Sequence, residues 1–148
     1  MKLSSKGRYA IRALFDIAYF NEGRPTQVKH IVERQGIPTR FLEQIFQELK
    51  RAAIVGSKRG PRGGYSLVQA PQAIRLGDVV RAIEGPVRLC DPRRGKRGES
   101  ERATDAVLQE LSASVEACFD GVTIADVCAR AEALGIGRDR SQRYVYVI

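Results

Sequence analysis

Two stretches of helical periodicity lie a few residues apart, and an Arg/Gly/Pro-rich segment follows them directly. No other feature constrains the fold of this chain as strongly. Val28, Ile31 and Val32 form the apolar face of a short helix running to about Gln35. Gly36-Ile37-Pro38-Thr39 makes a tight connection, and Leu42, Ile45, Phe46 and Leu49 then recur at i, i+3, i+4 and i+7 in a helix to about Ala53. Two helices so closely joined, with glycine in the turn, have the pattern of a helix-turn-helix. Ile54-Val55-Gly56-Ser57-Lys58 and Tyr65-Ser66-Leu67-Val68 read as short strands around the turn Arg59-Gly60-Pro61-Arg62-Gly63-Gly64. A basic hairpin placed there is a wing, suited to lying on a phosphate backbone or entering a minor groove.

The flanking segments complete a small helical body. Ser4 or Ser5 can cap a first helix whose stripe is Tyr9, Ala10, Ala13, Leu14, Ile17 and Ala18. Thr26 is the candidate cap of the second helix, and Leu76 to Glu84 reads as a short helix stopped by Gly85-Pro86. Residues 88–102 read as a loop bearing Arg88, Arg93, Arg94, Lys96 and Arg97, more simply solvated than a second DNA contact. A long helix from about Arg102 to Phe119 carries Ala103, Val107, Leu108, Leu111, Val115 and Cys118 on one stripe. Thr123 can cap a last helix through Leu134, and the apolar tail Tyr144 to Ile148 reads as either a strand or a loose end. A single helix as long as 102–119 cannot bury its stripe on so small a domain, so pairing with a second copy through Val107, Leu108, Leu111 and Val115 is expected.

The fold class expected is therefore mainly α with a small β-hairpin wing. Residues 1–85 would form the winged helix-turn-helix, 86–101 a sensor-type loop, and 102–148 a dimerisation helix with a C-terminal segment.

Charge distribution agrees with a polyanion partner. Of the 148 residues, 1–70 hold 13 Lys/Arg against 5 Asp/Glu, the whole of the net +8, whereas 71–148 hold 12 of each sign. Residues 100–132 carry seven acidic and two basic side chains, a composition that avoids DNA. No apolar run approaches the ~18 residues needed to span a bilayer, and the N-terminus lacks the apolar centre of a signal peptide. A soluble, cytoplasmic protein without membrane association is expected. Three widely spaced cysteines, Cys90, Cys118 and Cys128, argue for reduced thiols rather than a disulfide framework.

Candidate DNA contacts follow from position. The polar face of the third helix presents Arg40, Glu43, Gln44 and Gln47, with Thr39 at its start. In the major groove Arg40 suits guanine, Gln44 adenine and Glu43 the amino group of cytosine. Glu43 would also reject wrong sequences, because a carboxylate near phosphate is repelled unless it accepts such a bond. Lys6, Arg8, Lys50, Lys58, Arg59 and Arg62 are candidate phosphate or minor-groove contacts, with Arg59 foremost at the entrance of the wing. Catalysis has no foothold: there is no Walker loop, nucleophile elbow or zinc spacing, and the single histidine, His30, reads as a surface residue. The competing class is a winged-helix adaptor that binds protein rather than DNA.

Three motifs in order also carry a resemblance. Met1-Lys2-Leu3-Ser4-Ser5-Lys6-Gly7-Arg8-Tyr9-Ala10, Leu42-Glu43-Gln44-Ile45-Phe46 and Arg59-Gly60-Pro61-Arg62-Gly63-Gly64-Tyr65 closely resemble the IscR/NsrR/CymR group of bacterial repressors, the Rrf2 family. The likeness is strong over about 1–85 and general in the long helix. It implies a homodimeric, winged-helix repressor on a near-palindromic operator, with Tyr9 joining the DNA-binding set. Members that hold an iron–sulfur cluster carry three closely spaced cysteines in the loop before the long helix, where this chain has only Cys90. No cofactor is assigned with a conventional ligand set. Cys90 is the sensor candidate, either as a thiol or as one ligand of an unusual cluster, and the effector is left open. Arg88, Arg93 and Arg94 beside Cys90 favour thiolate chemistry, whereas Cys118 and Cys128 lie on apolar stripes and read as small buried hydrophobes.

Overall fold

A computed structural model describes residues 2–91 and 98–138. Six helices and one hairpin follow in the order α1 (Ser5–Asn21), α2 (Val28–Gln35), α3 (Thr39–Arg51), β1 (Val55–Lys58), β2 (Gly64–Leu67), α4 (Leu76–Glu84), α5 (Glu99–Asp120) and α6 (Ile124–Ala133). This is the mainly α, winged arrangement expected. Ser4 caps α1, its hydroxyl accepting the Gly7 N–H at 3.0 Å. α3 stops at Arg51, earlier than expected, because Ala53 turns into the left-handed region (φ 57°) and starts the wing.

Thr26 does not cap α2 as its sequence position suggested. The residue flanking α2 is Gln27, which makes no side-chain cap bond. Thr26 is buried and extended beside the wing: its N–H donates to the Tyr65 carbonyl at 2.8 Å, and the Tyr65 N–H returns to the Thr26 carbonyl at 2.9 Å. The β-branched residue thus extends the hairpin by one bridge. β1 and β2 pair antiparallel from Val55 opposite Leu67 to Lys58 opposite Gly64. A β-carbon on Gly64 would lie 2.2 Å from the Thr26 carbonyl oxygen, so only glycine permits this approach.

One core joins almost every element. Ala10, Leu14 and Ile17 of α1 meet Ile31, the α3 stripe, Val55, Ile74, Val79 of α4 and Ile124 of α6, all buried. α6 therefore belongs to the winged body. Thr123 and Asp126 form a reciprocal capping box at its start. The Leu76 N–H donates to Val122 at 2.8 Å, and the Ile124 N–H to Ile74 at 2.9 Å. Tyr19 donates its hydroxyl to the Ile136 carbonyl further along. The segment expected as 102–148 accordingly divides within the described residues, with α5 packed on α4 outside the main core and α6 folded back onto α1.

α5 begins at Glu99, a few residues before the expected start. Its end is tied to α4 by Arg81, which donates to Asp120 at 2.7 Å and to Asp78 at 3.0 Å. The Arg75 guanidinium, followed by that of Arg81, holds the Asp78 carboxyl below its ordinary range. A β-carbon on Gly77 would sit 1.7 Å from Asp120 Oδ1, so any larger residue there would have to displace the Asp120 carboxylate from Arg81. Along the stripe, Val107 and Leu111 are 55% and 48% exposed, whereas Leu108 and Val115 are half-buried. Cys118 is exposed, contrary to the buried role expected, because no neighbour among the described residues covers its side of α5. Cys128 is half-buried against the core, and burial pushes its thiol up. Arg93, Arg94, Lys96, Arg97 and the tail Tyr144 to Ile148 lie outside the described residues. Among the described residues, no helix is long and apolar enough to cross a membrane.

Candidate nucleic-acid interface

α3 divides cleanly into two faces. Leu42, Ile45, Phe46 and Leu49 are wholly buried, and Arg40, Glu43, Gln44 and Gln47 are exposed together on the other side. Thr39 and Arg40 are the first two helical residues and both are exposed, at the helix end that in DNA-binding helix-turn-helix proteins faces base edges. Helical spacing puts Arg40, Glu43, Gln44 and Gln47 on one patch whose donors and acceptors match base edges.

Beside that end stands an aromatic pair whose α3 member the sequence reading missed. Tyr9, half-buried on α1, packs edge-to-face on Phe41, with ring centroids 6.1 Å apart and planes at 61°. Phe41 is 44% exposed. Its signal was an aromatic side chain one position off the apolar stripe, next to Arg40. Arg12 extends the group, with its guanidinium 5.6 Å from the Tyr9 ring centroid and a bond to the Gln35 carbonyl.

The wing presents Lys58, Arg59 and Arg62, all exposed. Its tip closes on itself through the Gly63 N–H, which donates to Gly60 at 2.9 Å. A β-carbon on Gly63 would fall 2.1 Å from the Lys58 carbonyl, so the tight turn demands glycine. The other cations expected here have partners of their own. Lys6 pairs with Glu48 of α3, Arg8 donates to Ser5 at 3.2 Å, and Lys50 donates to Ser57 at 2.7 Å. Lys6 is thus tied to the flank of α3 rather than projecting freely. The structure brings Thr39, Arg40, Glu43 and Gln44 onto one exposed face and Lys58, Arg59 and Arg62 onto the wing.

Cys90 lies in a different region. The segment before it runs along α5: the Val87 N–H donates to the Glu116 carboxylate at 3.0 Å, and the Leu89 N–H to the Ser112 hydroxyl at 3.0 Å. The Cys90 thiol, half-buried, approaches the Asp105 carbonyl at 3.9 Å. It lines a groove of about 470 Å³ with Asp91, Glu101, Thr104 and Asp105. All three cysteines and His30 are among the described residues, and no three His, Cys, Asp or Glu side chains there come close enough to hold a metal ion. The described residues of a single chain therefore do not fit an iron–sulfur cluster.

The Rrf2 family, described as "Iron-dependent Transcriptional regulator", matches residues 3–130. The chain is 37% identical over 129 residues to the HTH-type transcriptional regulator IscR of Aliivibrio salmonicida, spanning 86% of this chain and 77% of that protein. It is 35% identical over 138 residues to IscR of Escherichia coli O1:K1, spanning 92% and 85%. Among solved structures, T. potens IscR superimposes with a TM-score of 0.72 at 34% identity, covering 96% of each chain. CymR, the global cysteine regulator of B. subtilis, gives 0.73 at 29% identity, covering 88% of this chain and 98% of that one. These relatives are transcriptional regulators, which disfavours both an enzyme and an adaptor without DNA. The chain belongs to the Rrf2 family and is a DNA-binding transcriptional regulator.

Proposed function

We propose that this regulator acts as a homodimeric repressor on a near-palindromic operator, with α3 reading bases and the wing holding the flanking backbone. The observation that carries the reading is the division of α3. Every large apolar side chain but Phe41 faces the core, and the opposite face offers a guanidinium, a carboxylate and two amides together. Arg40, Glu43 and Gln44 select sequence. Arg59, with Lys58 and Arg62, supplies affinity that does not depend on sequence. Thr39, Tyr9 and Lys6 position the end of α3 against the backbone.

The second copy docks along α5. Val107 and Leu111 are exposed large apolar groups on one stripe, continued by the half-buried Leu108 and Val115. An amphipathic helix with this face uncovered gains apolar burial by pairing, and two-fold pairing makes the operator two-fold as well. Control of the switch is assigned to Cys90, whose segment is bonded to α5 through Glu116 and Ser112, so a change at the thiol reaches the dimer helix directly.

Selection of binding duplexes from a random library tests the whole reading. The account expects one enriched motif with two-fold symmetry, bound by two chains. Absence of enrichment, or a motif without symmetry bound by one chain, contradicts it.

A further inference from the structure

Between α2 and the tip of the wing lies a cleft of about 450 Å³, in which Arg62 of the wing meets Arg24 and His30, two residues without a role in the reading above. Its walls include Arg24 from the α1–α2 connection, Gln27 and His30 from the start of α2, and Arg62 and Gly63 from the wing. We propose that this cleft is a seat for a phosphate of the DNA backbone, bound by Arg24, His30 and Arg62. The inference rests on the DNA-binding reading and deepens it, adding contacts on a different element from α3.

Three observations support it. The first is convergence: N–H donors from three separate elements line one cavity, and phosphate is the anion that guanidinium groups bind in a fork. The second is rigidity. Gln27 donates its side-chain amide to the Pro61 carbonyl at 2.8 Å, and the Thr26–Tyr65 bridge fixes the base of the wing. Asn21 donates to the Pro25 carbonyl at 2.9 Å and to the Arg24 carbonyl at 3.2 Å, holding the opposite wall. The third is the start of α2. The Gln27 side chain is engaged with the wing, so no side chain caps the helix and its positive end borders the cleft.

Two carboxylates stand near these groups. Glu22 is 3.6 Å from Arg24, and Glu33 is 3.7 Å from His30 Nδ1. Arg24 and Glu22 are 68% and 73% exposed, so their pairing is weak and yields to a phosphodiester that offers two oxygens. DNA is the source of the phosphate because α2, the first helix of the helix-turn-helix, and the wing are the elements of such a fold that run against the backbone. A seat they share lies on the path of the strand.

The test is duplex binding measured by fluorescence anisotropy across a salt series for the intact protein and for Arg24→Ala, His30→Ala and Arg130→Ala. Arg130 is exposed on α6, does not line the cleft, and serves as the control. Arg24→Ala is expected to weaken binding to every duplex by roughly three- to tenfold and to flatten the slope of log K against log salt by about 0.9. His30→Ala weakens binding in the same direction, and Arg130→Ala changes neither quantity. Arg24 is largely exposed, so its replacement leaves the fold intact, which an unchanged thermal transition verifies. A salt-dependent parent whose slope is unaltered in Arg24→Ala would overturn the seat and leave the regulator reading in place. A parent that binds no duplex would overturn both. Inorganic phosphate at constant ionic strength that displaced DNA from the parent but not from Arg24→Ala would show a free-anion site and overturn the assignment to DNA.

Discussion

The ring of Tyr65 in the wing lies flat on that of Phe46 in α3, with centroids 4.1 Å apart and planes within 8° of parallel. Phe46 is wholly buried, so its ring is fixed by the core and in turn fixes the wing. α3 and the wing are thereby set at one angle. Tyr65→Ala is expected to cost about 2 kcal/mol of stability, combining lost burial with the stacking itself. It should also weaken binding to all duplexes alike, whereas Tyr65→Phe keeps both properties. Urea unfolding and duplex anisotropy on the two variants check this.

α1 and α2 are joined by a buried ion pair. Asp16 is fully buried and accepts two bonds from Arg34, at 2.6 and 2.9 Å, and a third from Gln35 at 2.9 Å. Removing the carboxylate leaves a guanidinium in a poorly solvated site. Asp16→Ala is therefore expected to lose about 3–5 kcal/mol in urea unfolding. A loss below about 1 kcal/mol would mean that Arg34 reaches water once released.

Pairing along α5 has its own signature. Leu111→Glu places a charge in the middle of the exposed stripe, a change the isolated chain tolerates because the site is half open to solvent. Sedimentation should show the parent as a dimer and the variant as a monomer. The monomer should retain its helical circular dichroism and bind a full operator at least about tenfold more weakly.

Cys90 is the thiol whose position couples to α5. Protein purified without oxygen is expected to lack the visible absorption and iron of a cluster, and Cys90→Ser should match it. With thiol chemistry as the switch, an electrophile that alkylates the parent should alter operator binding and leave Cys90→Ser unaffected. Colour and iron that vanish in Cys90→Ser would establish instead a cluster with unusual ligands, Cys90 among them.

Much of this arrangement was legible in the sequence because it depends on local periodicity. The stripe Leu42-Ile45-Phe46-Leu49 defines α3 and, by exclusion, its exposed polar face. The glycines and arginines of 59–64 define a hairpin with charge at its tip. Relationships between distant residues were not legible. Thr26 looks like a helix cap until Tyr65, 39 positions later, takes its backbone bonds. The return of α6 onto α1 depends on Ile124 entering a core built mostly by the first 80 residues. Cys118 sits on the same stripe as Val115 and Leu111, and periodicity alone assigns a face without saying what covers it. Arg24, His30 and Arg62 meet only because α2 and the wing fold together.

The central claim is that α3 reads sequence while the wing holds the backbone, and affinities across an operator panel test it most directly. The parent, Glu43→Ala and Arg59→Ala are each titrated against the selected duplex and its single-base variants over a range of salt. Arg59→Ala should weaken every duplex by a similar factor and reduce the salt slope by about 1. Glu43→Ala should retain the slope and lose discrimination at one position in each half-site, by about 1–3 kcal/mol. If the two variants behaved alike across the panel, the division of labour between α3 and the wing would be wrong.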